Sequence, residues 1–407
     1  MLQPPPRDFA AVYPRFCVVA IPVKDEAERL PACLEALAAQ REARGRRLAP
    51  DAFGVLLFAN NCTDGSAALA RRLTAGWPFE VRIVERRLPA GQAHAGGARR
   101  AAMDLASVWA GPQGAILTTD ADSRVPPDWV AANRAAFETD VDAVLGRVAL
   151  DEEGDALPDA LHRRGALESA YEQALVEIAA WLDPRAHDPW PHHATISGAS
   201  LGVTVEAYRR VGGLPGVPVG EDKALVAALE AQDARLRYAP GIVVTTSGRV
   251  KGRAPGGVAD TLRLRSDDPE APCDEALEAV RTAIRRAGWR GRLRRAHESG
   301  DLSAARDWVR ALGLAPDEAS GIAGAARFGA AWRAIEAASP SLARRPIRPS
   351  ELPGQIAAAR HALGWLRRVA LAARQQVEPE FGKPRLAEDR QSVAEPGDET
   401  RRGLVAG

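Results

Sequence analysis

Short apolar runs, each stopped by a polar tip and followed by a helical repeat, recur along the first half of the chain. Phe16 to Pro22 is continuously apolar, as a strand buried on both faces of a sheet requires. It ends in Val23-Lys-Asp-Glu26, after which Leu30, Leu34 and Leu37 recur at i, i+4 and i+7 and predict a helix with one apolar face. Phe53 to Ala59 repeats the pattern, with Asn60-Asn-Cys-Thr-Asp-Gly-Ser66 as its polar tip and Ala67 to Leu73 as its helix. Phe79 to Val84 reads as a third strand, Gly96 to Trp109 as a helix, and Gly114 to Thr119 as a fourth strand. A helix over Pro126 to Phe137, with proline where no amide donor is needed, and a strand over Ala143 to Leu150 follow. Strand and helix in alternation predict an α/β fold with a mostly parallel sheet covered by helices on both faces.

The pattern then loosens. Pro158 to Leu182 is helical, and Asp183 to His193 is a proline-rich loop carrying Trp190, His192 and His193. Ile196 to Thr204, with Gly198, has the small residues that let backbone approach a ligand. A short helix around Tyr208 stops at Gly212-Gly213, Gly220-Glu-Asp-Lys223 opens the helix of Ala224 to Ala231, and Ile242 to Thr246 is a last strand. Beyond Pro269 only helical periodicity remains, over Asp274 to Arg295, Ser303 to Leu312, Asp317 to Ala338 and Glu351 to Arg374. The expected organisation is a lead-in over 1–14, an α/β domain over 15–268, a C-terminal helical module over 269–375 and a polar tail over 376–407. The tail has little to bury and is expected to be disordered.

Composition narrows the function classes. The 54 Lys and Arg against 53 Asp and Glu leave a formal charge of +1, which gives no case for nucleic acid as a partner. Four cysteines, Cys17, Cys33, Cys62 and Cys273, stand apart with no CxxC pair, so neither a zinc site nor a disulfide framework is indicated. No signal peptide and no run of about 18 apolar residues is present, which points to a cytoplasmic protein. The one local charge excess is Arg281, Arg285, Arg286, Arg290, Arg292, Arg294 and Arg295. It is expected to be a solvated face, with an anionic acceptor or a peripheral membrane contact as the lesser reading.

The chemistry gathers at the end of the fourth strand, where the apolar run stops at Asp120-Ala-Asp122. Open α/β sheets bind ligands at such carboxyl ends. Two carboxylates one residue apart are hard oxygen donors suited to Mg²⁺ or Mn²⁺ carrying a diphosphate.

With its neighbours in register, this segment resembles a family 2 glycosyltransferase of the GT-A fold, over about Arg15 to Arg265. Ile21-Pro-Val-Lys-Asp-Glu26 and Asn60-Asn-Cys-Thr-Asp-Gly-Ser66 resemble the segments that hold the nucleoside. Gly96-Gly-Ala-Arg99 is similar to a Gly-x-Ala-Arg-Asn segment, Asp120-Ala-Asp122 to the metal motif, and Glu221-Asp222 to the acidic pair on the acceptor side. The resemblance implies inverting transfer of a sugar from a nucleoside-diphosphate sugar to an acceptor hydroxyl or amine, with the acceptor a glycan, lipid or small molecule. Donor contacts would come from Pro22, Val23, Glu26, Asn60, Asn61, Thr63, Gly97, Arg99 and Asp120. Asp122 and Asp120 would hold the metal, Asp222 would act as base, and Glu221 would orient sugar or acceptor. Gly198, His193 and Trp190 are candidates for the acceptor side.

Two departures stand out. Asn60-Asn61 replaces the usual acidic residue for the uracil ring, and Arg100 follows Arg99 where Asn is usual. No His follows the last strand; Arg249, Lys251 and Arg253 stand there instead and resemble a basic phosphate-gripping segment, so Arg249 and Arg253 join the donor side. A nucleotidyltransferase on a similar sheet is a second reading, although Ile21 to Glu26 lacks a Gly-rich basic phosphate loop. A non-catalytic binder of nucleotide sugars or glycans is a third.

Overall fold

The computed structural model describes residues 16–151, 158–248, 258–300 and 307–377. The chain forms two compact units, 1–363 and 364–407. The first unit opens with β1 (Cys17–Val23), α1 (Leu30–Ala38), β2 (Phe53–Asn60), α2 (Ser66–Leu73), β3 (Val81–Arg86), α3 (Ala95–Ala110) and β4 (Ala115–Thr118). Next come β5 (Ser123–Arg124), α4 (Trp129–Phe137), β6 (Ala143–Asp151), α5 (Asp159–Leu182), β7 (Leu201–Thr204), α6 (Val205–Arg210), α7 (Glu221–Ala231) and β8 (Leu236–Ser247). The strands form one sheet in the order β3-β2-β1-β4-β7-β6-β8-β5.

The sheet is parallel through β3, β2, β1 and β4, and β6 is parallel to β8. Strand β7 runs antiparallel to both β4 and β6, and the two-residue β5 is antiparallel to β8. The small-residue stretch after Ile196 therefore corrects the sequence reading: its second half is a central strand, and it reverses the sheet's direction. Its four residues, one of them Gly202, are too few to show a β period.

Alternation along β1 sorts the core. Cys17, Val19, Ile21 and Val23 face one cluster with Leu30, Leu34 and Leu37 of α1 and the fully buried Trp129 of α4. Val18 and Ala20 face the other, with Ala98, Ala102 and Met103 of α3 and Leu225, Val226 and Leu229 of α7. Both faces of the sheet are thus covered, as parallel strands require. Each bundle of crossovers returns its helix start to the sheet end where β1, β2 and β4 stop, and the polar tips meet there.

After the sheet come α8 (Val258–Asp267), α9 (Val280–Glu298), α10 (Trp308–Leu312), α11 (Pro316–Ala323), α12 (Phe328–Ala338) and α13 (Leu352–Val377). The single helix expected over Asp317 to Ala338 is two, interrupted around Gly324. Helices α9 to α12 share a cluster of Leu293, Trp308, Leu312, Ile322, Phe328, Trp332 and Ile335. The second unit holds the part of α13 after Leu363.

The arginine run is only partly the solvated face expected of it. Arg281, Arg285, Arg292 and Arg295 are exposed. Arg286, Arg290 and Arg294, at i, i+4 and i+8 of α9, pair inward. Arg286 grips Glu278 with two hydrogen bonds of 2.7 and 2.8 Å. Arg294 donates at 2.7 Å to Asp183, the buried residue that ends α5, and Arg290 lies 3.4 Å from the same carboxylate and 3.8 Å from Glu230 of α7. Arg290 and Arg294 therefore fasten α9 to the α/β domain, because a carboxylate as enclosed as Asp183 needs such partners, while Arg286 ties α9 to Glu278 within the C-terminal helices.

Candidate active site

The exits of β1 and β2 are stitched together by their own polar residues. Asp25 takes a positive φ of 52° and its Oδ1 accepts from Thr63 N at 2.6 Å and Thr63 Oγ1 at 3.2 Å. The Thr63 amide, more than any other contact, lowers the Asp25 pKa to about 2. Asp64 accepts from the Ala27 amide and from Ser66, and Ser66 Oγ in turn accepts from the Glu26 amide. Lys24 donates to the Asn61 carbonyl. Asp25, Cys62 and Asp64 bring three possible ligand atoms within 4.8 Å, but both carboxylates already accept from backbone amides, which makes the group a loop lock.

Of the nucleoside candidates, Pro22 and Val23 end β1, and Glu26 is buried just beyond it. Asn60 is buried, and its Oδ1 has no hydrogen-bond partner among the described residues. Such an orphan acceptor calls for a ligand or a water. Asn61 differs from its expected role: its side chain forms a reciprocal pair with the Leu88 backbone, at 2.8 and 3.2 Å, and so joins the exits of β2 and β3.

The carboxylates at the end of β4 are organised by Arg99, and this is the feature on which the site turns. Arg99 is 6% exposed, in the first turns of α3. Its Nε donates to Glu221 Oε1 at 2.9 Å and its Nη2 to Asp120 Oδ1 at 2.6 Å. Its Nη1 donates to Thr118 Oγ1 at 2.8 Å and to the Gly198 carbonyl at 3.0 Å. Burial alone would lower its pKa, but the Asp120 and Glu221 carboxylates outweigh burial and raise it, so the charge is permanent. Arg99, expected from sequence to contact the donor, has its fork engaged by these four protein groups.

Gly198 is the counterpart of Arg99. A Cβ there would lie 2.4 Å from Arg99 Cζ, so only glycine lets the loop close over the guanidinium. Its carbonyl accepts from Arg99 while its amide donates to Asp222 Oδ2 at 2.9 Å. Asp222 Oδ1 also accepts from the Lys223 amide at 2.7 Å at the start of α7, where an anion suits the helix dipole. One arginine and one glycine therefore link Asp120, Glu221 and Asp222 across 100 residues of sequence. Gly97, whose amide donates to His94 Nδ1, sets the start of α3 beside them.

Asp120 and Asp122 are both half-buried. Arg99 holds Asp120 Oδ1, and Oδ2 has no hydrogen-bond partner among the described residues. Asp122 Oδ1 accepts from Thr246 Oγ1 of β8 at 3.4 Å. Hard oxygen donors with one carboxylate oxygen uncommitted fit a divalent cation. Behind them, burial and then the negative charges of Asp122 and Asp120 push the Cys33 thiol well above its usual range. That thiol is inert.

The loop candidates separate. His193 is partly buried, its Nε2 faces the Leu145 carbonyl at 3.2 Å, and its Nδ1 accepts from the Thr195 amide at 3.1 Å. Burial lowers its pKa to about 4 against the opposing backbone hydrogen bonds, so it is neutral at pH 7. Both ring nitrogens of this acceptor-side candidate are thus engaged by backbone. Trp190 is 38% exposed and packs edge-on to His192. Arg249 and Arg253 lie outside the described residues, as does Glu152 to Asp155.

Helix α7 is also held at its far end. Asp233 accepts from the Phe328 and Gly329 amides at 3.1 and 2.6 Å, capping α12. A Cβ on Gly329 would lie 1.7 Å from the Glu230 carbonyl, so α12 abuts the end of α7. Thr118, Thr246, Asp25, Asp64 and Asp233 are the positioning residues that sequence reasoning missed.

An α/β sheet with paired carboxylates at its strand ends and an acidic helix start has the layout of a GT-A fold. Residues 18–197 match the family Glycosyl transferase family 2, from β1 through Asp120 and Asp122 to the residue before Gly198. Residues 18–197 therefore form a family 2 glycosyltransferase domain. None of the curated proteins matches it. Among solved structures it is similar to Staphylococcus aureus TarS, with 14% identity over 58% of this chain and 35% of that one and a TM-score of 0.37; it thus spans about a third of that chain's length. It is similar to the mannosyltransferase PcManGT of Pyrobaculum calidifontis, a complex with GDP-Man and Mn²⁺, with 18% identity, 82% and 90% coverage and a TM-score of 0.42. The third is TarS 1–349 in complex with UDP, with 15% identity, 88% and 91% coverage and a TM-score of 0.40.

Proposed function

We infer that the domain takes a sugar from a nucleoside-diphosphate sugar and places it on an acceptor hydroxyl or amine with inversion at the anomeric carbon. The observation that carries this reading is the linkage of Asp120, Glu221 and Asp222 through Arg99 and Gly198. In this reading Asp120 serves the diphosphate side and Glu221 the acceptor side, and both accept from the one buried Arg99. Asp222 takes the acceptor proton as the new bond forms, a role that needs hydrogen-bond reach and a carboxylate held in one orientation, which Gly198 N supplies. Glu221, fixed by Arg99, orients the sugar. The orphaned Asn60 Oδ1 is the natural partner for a donor group on the nucleobase.

The carboxylates of Asp122 and Asp120 would hold a divalent cation, which when bound neutralises charge on the leaving diphosphate. The helices after Pro269 act as a module that braces α7 through Asp233 and Gly329. The test is a panel of nucleoside-diphosphate sugars with and without Mn²⁺, read first by thermal shift and then by proton NMR of the product's anomeric centre. Inverted product from a metal-dependent donor is expected. Retained configuration, or a hit that transfers a nucleotidyl group, would overturn the reading.

A further inference from the structure

Helix α13 changes character along its length. In its first half Leu352, Ile356, Ala359 and Leu363 are buried at i, i+4, i+7 and i+11. Past Leu363, in the second unit, Trp365, Leu366, Val369 and Ala370, at i, i+1, i+4 and i+5, form an apolar face of their own. Trp365 is 56% exposed and Val369 46%. Large apolar side chains left open in a row are the informative exception on a protein surface. Leu371, also exposed, lies on the far side between Arg367 and Arg368 and is not part of this face.

The charge pattern says what such a face fits. Leu352–Val377 contains Arg360, Arg367, Arg368 and Arg374 and no Asp or Glu, a formal charge of four positive units with His361 neutral. Arg368 borders one edge of the apolar face and Arg367 the other. We propose that the second half of α13 docks the protein on an anionic membrane surface, with Trp365, Leu366 and Val369 entering the interface and Arg367 and Arg368 at headgroup level. Apolar residues flanked by long basic ones are the composition of a helix lying in the interface plane. Residues 365–377 span about 20 Å as a helix, enough to lie on a bilayer. No helix among the described residues is long and apolar enough to cross one. A second copy of the chain is the poorer occupant, because pairing this face with itself would bring two acid-free basic segments together.

The full chain should float with phosphatidylcholine vesicles containing about one third phosphatidylglycerol and stay behind with phosphatidylcholine alone. Replacing Arg368 by Gln should weaken partitioning onto the anionic vesicles about fivefold, the contribution of one charge near such a surface. The double substitution Trp365→Ser, Val369→Ser should abolish flotation while leaving the thermal midpoint and donor binding unchanged, and Trp365→Phe should retain it. Equal flotation with neutral vesicles, undiminished flotation of the Ser variant, or none by the wild type would each overturn the proposal. If light scattering instead finds a dimer that Trp365→Ser dissolves, self-association replaces it.

Discussion

Replacing Arg99 tests the linkage of the two sides of the site more sharply than any other change. Arg99→Met keeps length and removes the charge, which leaves Glu221 and Asp120 without their common partner. The two legs differ in weight: the Glu221 leg joins side chains 7% and 9% exposed, whereas Asp120 is 33% exposed and partly screened by water. Removing one partner of a buried pair costs about 3–5 kcal/mol, and most of that falls on Glu221. Arg99→Lys keeps the charge, but a compact ammonium cannot reach Glu221, Thr118, Gly198 and Asp120 together. It should lose at least two of four hydrogen bonds, and at about 1–1.5 kcal/mol net each this is a loss of about 2–3 kcal/mol. Turnover should fall further than stability implies, because a displacement of about 1 Å in a reacting group can cost about 10²-fold. The assay is a double-mutant cycle with Glu221→Gln, read by chemical denaturation and by transfer rate. If the two changes are additive within about 0.5 kcal/mol and Arg99→Lys turns over at the wild-type rate, Arg99 does not couple the carboxylates and the reasoning fails.

Other outcomes follow from the same contacts. Asp122→Ala should weaken donor binding and abolish its dependence on Mn²⁺, and calorimetry with the metal added and chelated would detect either failure. Gly329→Val must push α12 off the Glu230 carbonyl, so it should cost about 1–3 kcal/mol. It should slow transfer more than it weakens donor affinity, because the strain enters α7. The His193 pKa is lowered from 6.5 to about 4 on folding, so its contribution to stability is complete above pH 6.5 and is lost as pH falls through 4. His193→Gln should therefore flatten the acid limb of the denaturation profile between those values, while leaving the pH dependence of transfer unchanged near pH 7.

The parts of this fold that were readable in the sequence are those set by local pattern. Apolar runs announced β1, β2 and β4, and their polar tips marked the sheet end where Asp120, Asp122, Asn60 and Glu26 gather. Strand β7 was not readable, because four residues with a glycine give almost no period, and its antiparallel direction is a tertiary choice. The Arg99 linkage was hidden for a different reason: its partners lie 19, 21, 99 and 122 residues away, and no local signal ties them. The same holds for Arg286, Arg290 and Arg294, whose inward role depends on Asp183 and Glu278 arriving from elsewhere. Composition alone makes such a run look solvated. An asparagine at a strand exit is equally suited to a ligand and to a neighbouring backbone, and the pairing of Asn61 with Leu88 has no local signal.

The central claim is that Asp222 removes the acceptor proton at a site otherwise built for donor binding. Asp222→Asn keeps the shape and the acceptor oxygen available to the Gly198 amide, but it cannot take a proton. Its measurement is the transfer rate at saturating donor, set beside donor affinity by calorimetry on the same preparation. The rate should fall by about 10² to 10⁴-fold with donor affinity unchanged. A variant that transfers sugar at the wild-type rate, or one that loses rate only in proportion to donor binding, would contradict it.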